Sequence, residues 1–299
     1  MQSIKLITSA PTPDDTRWYL LQNKANEARI REAFHLFRDQ GIEPILIKGW
    51  AISRFYPDNH LRTYTDIDLA VSSAEVDKAR LLLQTDSAKR LSVDLHDELR
   101  HLDTLGWDDL FARSALIDLE GASVRVLSEE DHLRVLCVHW LTDSGSSKER
   151  LWDIYYAVDR RSPGFDWAKC LGSVSDTRQK WIISAIGLAN KYLRLSIEDL
   201  PFAEEAKRLP KWLTESIERE WEHGIPLRGL YDSLHDWHEF MRQMRKRLPP
   251  NPVYATIECE GEFDDRSRWR YQLKSLLIRA IPGIRKITLT LRARTNENG

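Results

Sequence analysis

The spacing of apolar and polar residues changes period several times along the chain, and each change marks an element. Between Trp18 and Gln40, Leu21, Ala25, Ile30, Ala33, Phe34 and Phe37 recur at roughly helical spacing, and Gly41 follows as a stop. Ile45-Leu46-Ile47 is a short apolar run with β-branched residues and predicts a strand. Gly49 breaks that pattern, and Ala51-Ile52-Ser53-Arg54-Phe55 predicts a short helix that ends before Pro57. A polar loop over 58–65 returns the chain to Asp66-Ile67-Asp68-Leu69-Ala70-Val71, which reads as a second strand. Glu75 to Gln84 sets Val76, Ala79, Leu82 and Leu83 on one helical face, and Leu91 to His96 alternates as a half-buried strand does. Ala115–Leu119 and Ser123–Leu127 predict a hairpin turned at Gly121.

After that the period becomes helical. Ser128 followed by Glu129-Glu130-Asp131 is a helix start, with a hydroxyl cap and acids in the first turn. Helices are predicted over 129–142, 149–161, 176–194, 203–222 and 229–246. Residues 251–265 are Pro- and acid-containing, and 266–280 reads as a basic amphipathic helix. The expected organisation is an irregular lead-in at 1–16, a mixed α and β part at 17–127, a helical domain at 128–247 and a basic extension at 248–299. The fold class is α+β, a small mixed sheet flanked by helices and followed by a mostly helical domain. Neither an internal repeat nor a low-complexity tract interrupts it.

Composition narrows the function. A chain of 299 residues is long enough for two domains, and 42% hydrophobic with 30% charged residues is ordinary for a soluble protein. A net charge of −2 gives no global basic field of the kind that draws nucleic acid. Cys137, Cys170 and Cys259 are odd in number and widely spaced, which suggests a reducing compartment and not a disulfide frame or a zinc site. The first residues hold too short an apolar run for a signal peptide, and no stretch is long enough to span a bilayer. A cytoplasmic location is the expectation. From Met241 onward 13 Lys and Arg stand against 6 Asp and Glu, so the tail invites contact with an anionic membrane surface or a partner, as an alternative to a solvated helical face.

The candidate chemistry lies in the second strand. On a strand, residues i and i+2 share a face roughly 6–7 Å apart, which places Asp66 and Asp68 together while Ile67 and Leu69 turn to the core. Paired carboxylates repel, and buried they need cations; hard oxygen ligands on one face suit Mg²⁺. A bare D-x-D is also what an exposed strand edge carries, so the surrounding residues decide. Upstream stands Lys48-Gly49, then Arg62; downstream, Val93-Asp94-Leu95-His96 puts Asp94 and His96 on the polar face of the next strand.

This order of strand, Lys-Gly, helix, loop, D-I-D-L strand, helix and later Asp-bearing strand resembles the nucleotidyltransferase fold of the polymerase-β-like superfamily. The stretch LIKGWAISRFYP, LRTYTDIDLAV, the D-L-H at Asp94–His96, and the helical segments around Leu136-Cys137-Val138-His139 and Arg150-Leu151-Trp152-Asp153 resemble more closely an uncharacterised bacterial nucleotidyltransferase family. The likeness covers about residues 17–160. It implies a first domain with the nucleotidyltransferase fold and transfer of a nucleoside monophosphate from an NTP, ATP by default, to an acceptor hydroxyl. It implies two Mg²⁺ ions held by Asp66, Asp68 and Asp94, with Asp94 also helping the acceptor lose its proton. Asp118 is the rival third carboxylate, in the outer hairpin. Lys48, Gly49, Arg62 and His96 are the candidate nucleotide-binding residues, with Gly49 bringing its N–H close to the phosphates and Arg62 open also to a structural ion pair.

The resemblance has one departure. The superfamily carries a small residue after this Gly, and here Trp50 follows, for which core packing is the expectation. The acceptor is left open among a small molecule, a sugar, a peptide and RNA. Two other readings accompany the first: a toxin-like transferase that modifies tRNA or protein, and a nucleotide-binding scaffold without turnover. Of the remaining histidines, His101 and His132 carry no metal-ligand spacing, His139 reads as a packed or capping helical residue, and His235 and His238 as surface residues.

Overall fold

The structure is a computed structural model, and it describes residues 13–57, 62–223 and 236–279. Among these residues the strands are β1 (Ile45–Leu46), β2 (Ile67–Val71), β3 (Val93–Asp97), β4 (Ala115–Leu119) and β5 (Ala122–Val126). They form one mixed sheet in the order β3-β2-β1-β5-β4. β1 runs antiparallel to β2 and parallel to β5, while β2 and β3 are parallel over their whole length. β4 and β5 are a hairpin closed by Glu120 and Gly121, both at positive φ (49° and 84°), as a tight two-residue turn requires.

Side-chain alternation divides the sheet between two cores. Leu46, Ile67, Leu69 and Val71 face one side, where α1 (Pro13–Asp39) covers them with Ile30, Ala33, Phe34 and Phe37. Ile45, Ile47 and Ala70 face the other side and join a core that continues into the helices. The stripe on α1 is narrower than its sequence suggests. Leu21 is 67% exposed. The buried stripe continues instead through Asn26, which donates to the carbonyl of Tyr64 at 2.6 Å.

α2 (Trp50–Ser53) connects β1 to β2, and α3 (Val76–Leu82) with α4 (Asp86–Lys89) makes the crossover that parallel β2 and β3 need. α5 (Trp107–Arg113) leads into the hairpin. α6 (Glu129–Thr142) starts as the sequence indicates: Ser128 accepts from the Asp131 N–H at 3.2 Å. It is buried on nearly every side and forms the centre of the helical layer. α7 (Leu151–Asp159), α8 (Trp167–Gly172) and α9 (Asp176–Leu193) pack around it. α10 (Ala203–Lys207), α11 (Lys211–His223), α12 (Trp237–Arg247) and α13 (Pro252–Glu258) follow, with α13 returning to α6.

Several elements differ from the sequence expectation, α4 and α5 among them, for which no helix was assigned. The single helix expected over 203–222 is broken before Pro210 into α10 and α11, since proline lacks an N–H and keeps the preceding residue out of the helical region. α8 and α13 lie in segments to which the sequence pattern assigned no helix. α13 has a signal that was present in the sequence: Asn251 caps it, accepting from Val253 N–H at 2.8 Å, and Pro252 opens it. The basic helix expected at 266–280 runs over 269–279; His235 and the end of the tail lie outside the described residues. α1 begins at Pro13 and so takes in residues 13–16. No described helix is long and apolar enough to cross a membrane, and the three cysteines are free and buried.

Candidate active site

The parallel register of β2 and β3 sets Asp68 opposite Asp94 and Ala70 opposite His96. Because i and i+2 share a face, Asp68, Asp94 and His96 all stand on the side of the sheet that looks toward the helical layer. His96 is the centre of the group: its Nε2 lies 3.2 Å from Asp68 Oδ1 and 3.4 Å from Asp94 Oδ2. Lys48, just past the end of β1, reaches across and donates from Nζ to Asp68 Oδ1 at 3.0 Å. The backbone N–H of Ile47, bonded to the Asp68 carbonyl at 3.1 Å, keeps β1 alongside at that point.

The two carboxylates differ in surroundings. The Asp68 side chain is 14% exposed, that of Asp94 64%. Burial by itself pushes the Asp68 carboxyl up, but the hydrogen bond from His96 and the charge and hydrogen bond of Lys48 outweigh it and hold Asp68 below the usual carboxylate range. One ligand atom from each of Asp68, Asp94 and His96 lies within 4.8 Å of the others. Two carboxylate oxygens with an imidazole nitrogen suit a hard or borderline divalent cation, Mg²⁺ or Mn²⁺. The ammonium of Lys48 on Asp68 shows that this carboxylate already draws a cation to itself.

The other sequence candidates are distributed around this group. Asp66 is exposed and lies one residue before β2, so strand alternation does not fix its side chain; it is outside the ligand cluster. Gly49 has φ 63° and ψ −118°, and a Cβ there would stand 3.2 Å from Tyr64 Cδ2 and 3.4 Å from the Asp66 carbonyl oxygen. The glycine is therefore required both by conformation and by the close passage of the loop that carries Asp66. Trp50 is half-buried against the core under α1, with the Arg54 guanidinium 5.8 Å over its ring.

Arg62 is paired with the helical layer, while the Asp68 charge also acts on it. It makes a two-pronged pair with Asp153 of α7, at 2.7 and 2.9 Å, which Tyr56 joins by donating to the same carboxylate at 2.6 Å. This buried pair ties the loop before β2 to the helical layer. Asp118 is on β4, at the edge of the sheet opposite β3, where it accepts from Gly121 N–H at 3.3 Å. Sheet order thus separates the rival carboxylate from the cluster.

Beyond His96 the site opens into a cleft of about 280 Å³, lined by Lys48, His96, Arg100, His101, His139 and Asp143 among others. His139 and Asp143, on the last turn of α6 and just past it, were not legible as site residues. His139, partly buried in the last turn of α6, also lines the cleft. The available signal was their i, i+4 spacing, which puts them on one face at the end of a helix whose second half is otherwise mostly apolar.

A mixed sheet with carboxylates at matching positions of neighbouring parallel strands, and a Lys-Gly turn leaving the strand beside them, is the layout of a nucleotidyltransferase. The family described as uncharacterised nucleotidyltransferase matches residues 14–87 and 84–193, and the chain belongs to it. The structure is also similar to the crystal structure of an antigenic nucleotidyltransferase-like protein from Paracoccidioides brasiliensis, with a TM-score of 0.42 and 14% identity over 62% of this chain and 94% of that one. No curated protein matches the sequence.

Proposed function

We propose that the protein transfers a nucleoside monophosphate from an NTP, ATP by default, to an acceptor hydroxyl, with Mg²⁺ bound at Asp68 and Asp94 and a second ion completed by Asp66. The observation that carries this reading is the Asp68–Asp94 register with His96 between the carboxylates. Bound there, the divalent ions would neutralise the triphosphate and stabilise charge on the attacking and leaving oxygens. Asp68, already compensated by Lys48, anchors the cation; Asp94, the more exposed carboxylate, is placed to take the proton of the incoming hydroxyl. His96 fixes the two carboxylates relative to each other. Lys48 offers a positive charge to the nucleotide phosphates, and Gly49 lets the backbone come close to them.

The test uses each labelled NTP with Mg²⁺ or Mn²⁺ and a cell extract, for the native protein and for Asp68→Asn/Asp94→Asn. Transfer of label by the native protein alone is expected. Equal transfer by both proteins would sink the carboxylate assignment. Nucleotide binding without transfer by the native protein would replace it with a scaffold role. Whether label enters RNA, protein or small molecules separates a toxin-like transferase from one acting on a metabolite.

A further inference from the structure

We propose that the cleft beyond His96 binds the acceptor, and that the acceptor carries a phosphoryl group held by Arg100, His101 and His139 with Lys48. This rests on the nucleotidyltransferase reading above and names the substrate class of the same site.

The first argument is position. In-line displacement needs the attacking group and the leaving group on opposite sides of the phosphorus. Gly49 and α2 stand on the β1 side of Asp68, and none of their residues lines the cleft. The cleft instead follows β3: His96, Leu99, Arg100, His101 and Leu102 make one wall, and His139, Thr142 and Asp143 make the other. A nucleotide over Gly49 and an acceptor in the cleft would then meet at the carboxylates, with Lys48, which precedes Gly49 and lines the cleft, in reach of both.

The second argument is charge. Arg100 brings a cation to the cleft; the Lys48 ammonium at its edge is shared with Asp68 at 3.0 Å, and the acid of the cleft, Asp143, is paired with Arg150 at 2.8 Å. Three titratable groups inside register the same field. Burial first, then neighbouring cations, push both His101 and His139 down, with Lys48 acting on each. Burial raises Asp143, while Arg150, Lys48 and His101 pull against it. Imidazoles that stay neutral beside fixed cations leave the site attractive to an anion and supply hydrogen bonds to its oxygens.

The third argument is construction. The wall that carries Arg100 is a strained turn: Glu98 and Arg100, neither a glycine, have φ of 50° and 52°. Such backbone persists where its surroundings hold it. Here Arg178 of α9 donates to the carbonyl of His101 at 3.0 Å, and Arg134 of α6 holds Asp103 at 2.9 Å in the buried core. Helices thus fix a loop that otherwise has little reason to adopt this shape, and what it presents to the cleft is Arg100 and His101.

The test titrates the full-length protein with inorganic phosphate, and separately with Mg²⁺ and a non-hydrolysable ATP analogue, by calorimetry. Arg100→Gln and His139→Gln are compared with the native protein after their thermal unfolding has been shown to match. Weakening of phosphate binding by about tenfold or more in each variant, with the nucleotide affinity unchanged within about twofold, is expected. Phosphate and nucleotide are also expected to bind together. Phosphate binding equal in all three proteins overturns the proposal. Competition between phosphate and nucleotide, with both weakened by the variants, overturns it in favour of the triphosphate. An absence of Mg²⁺-nucleotide binding in the native protein is a separate result, and it counts against the nucleotidyltransferase reading itself.

Discussion

Asp68 and Asp94 face each other across two parallel strands, and the same imidazole nitrogen of His96 lies 3.2 Å from one and 3.4 Å from the other. Either carboxylate changed to Asn keeps its volume and loses its charge. Asp68→Asn and Asp94→Asn are each expected to weaken Mn²⁺ binding, read by the paramagnetic signal of the free ion, and to lower transfer by about a hundredfold or more. Unaltered Mn²⁺ affinity in both variants would remove the cation from this site.

The Arg62–Asp153 pair is a structural prediction with a functional edge. Arg62 was expected at the nucleotide, and it is found buried against Asp153 and Tyr56. Breaking a buried pair leaves a charge without its partner, so Asp153→Asn or Arg62→Met is expected to cost about 3–5 kcal/mol in urea unfolding. The apolar double replacement, Arg62→Met with Asp153→Leu, is expected to recover most of that. A cost below about 1 kcal/mol for Asp153→Asn would show that Arg62 gains little from this pairing and return it to the candidates for phosphate.

Two histidines set an acid limit on stability. Burial, with Arg54 next in effect, lowers His132 from 6.5 to about 3; burial, then Lys48 and Arg150, lowers His139 from 6.5 to about 3. Between these values the unfolded chain binds protons that the fold refuses, so stability falls as pH falls. The loss begins near the unfolded value and reaches up to about 1.4 kcal/mol per pH unit for each histidine. Above the unfolded value the contribution is complete. Urea unfolding followed from about pH 7.5 to about pH 5 is expected to show this slope, and His132→Asn to remove about half of the part due to the two rings.

Gly49 and Gly41 give a matched pair. Both have positive φ, 63° and 70°, but a Cβ at Gly41 meets nothing within 4 Å while one at Gly49 meets Tyr64 and the Asp66 carbonyl. Gly49→Ala is expected to destabilise by about 1–3 kcal/mol and to do so more than Gly41→Ala, with a loss of nucleotide affinity confined to Gly49→Ala. Equal effects at both sites would mean that conformation alone, and not the close passage of the loop before β2, governs position 49.

Much of the sheet was legible because its signals are local. The apolar run Ile45-Leu46-Ile47, the hairpin at Gly121 and the cap at Ser128 each depend on neighbours in the chain, and each has its element in the structure. The failures follow the same logic. α10 and α11 were merged because helical periodicity outran the proline between them. Leu21 was placed in the core because period alone does not reveal how much of a helix is covered. α13 went unread because a short helix gives little periodicity, although its Asn-Pro start was in plain view.

For the candidate site the division is sharper. The sequence by itself singled out the candidates, Lys48-Gly49, Asp66 with Asp68, and Asp94 two residues before His96, each by a two-residue period or a turn requirement. It did not determine their company. Which carboxylate meets Asp68 is a matter of strand order and register, and these arise from packing between residues far apart in the chain; the sheet brings Asp94 to Asp68 and leaves Asp118 at the other edge. The tertiary structure alone drew Arg62 to Asp153, where a bidentate partner in a buried setting outcompetes solvent, and turned His139 and Asp143 toward the cleft. Those groups act through space, across distances in sequence that no local pattern records.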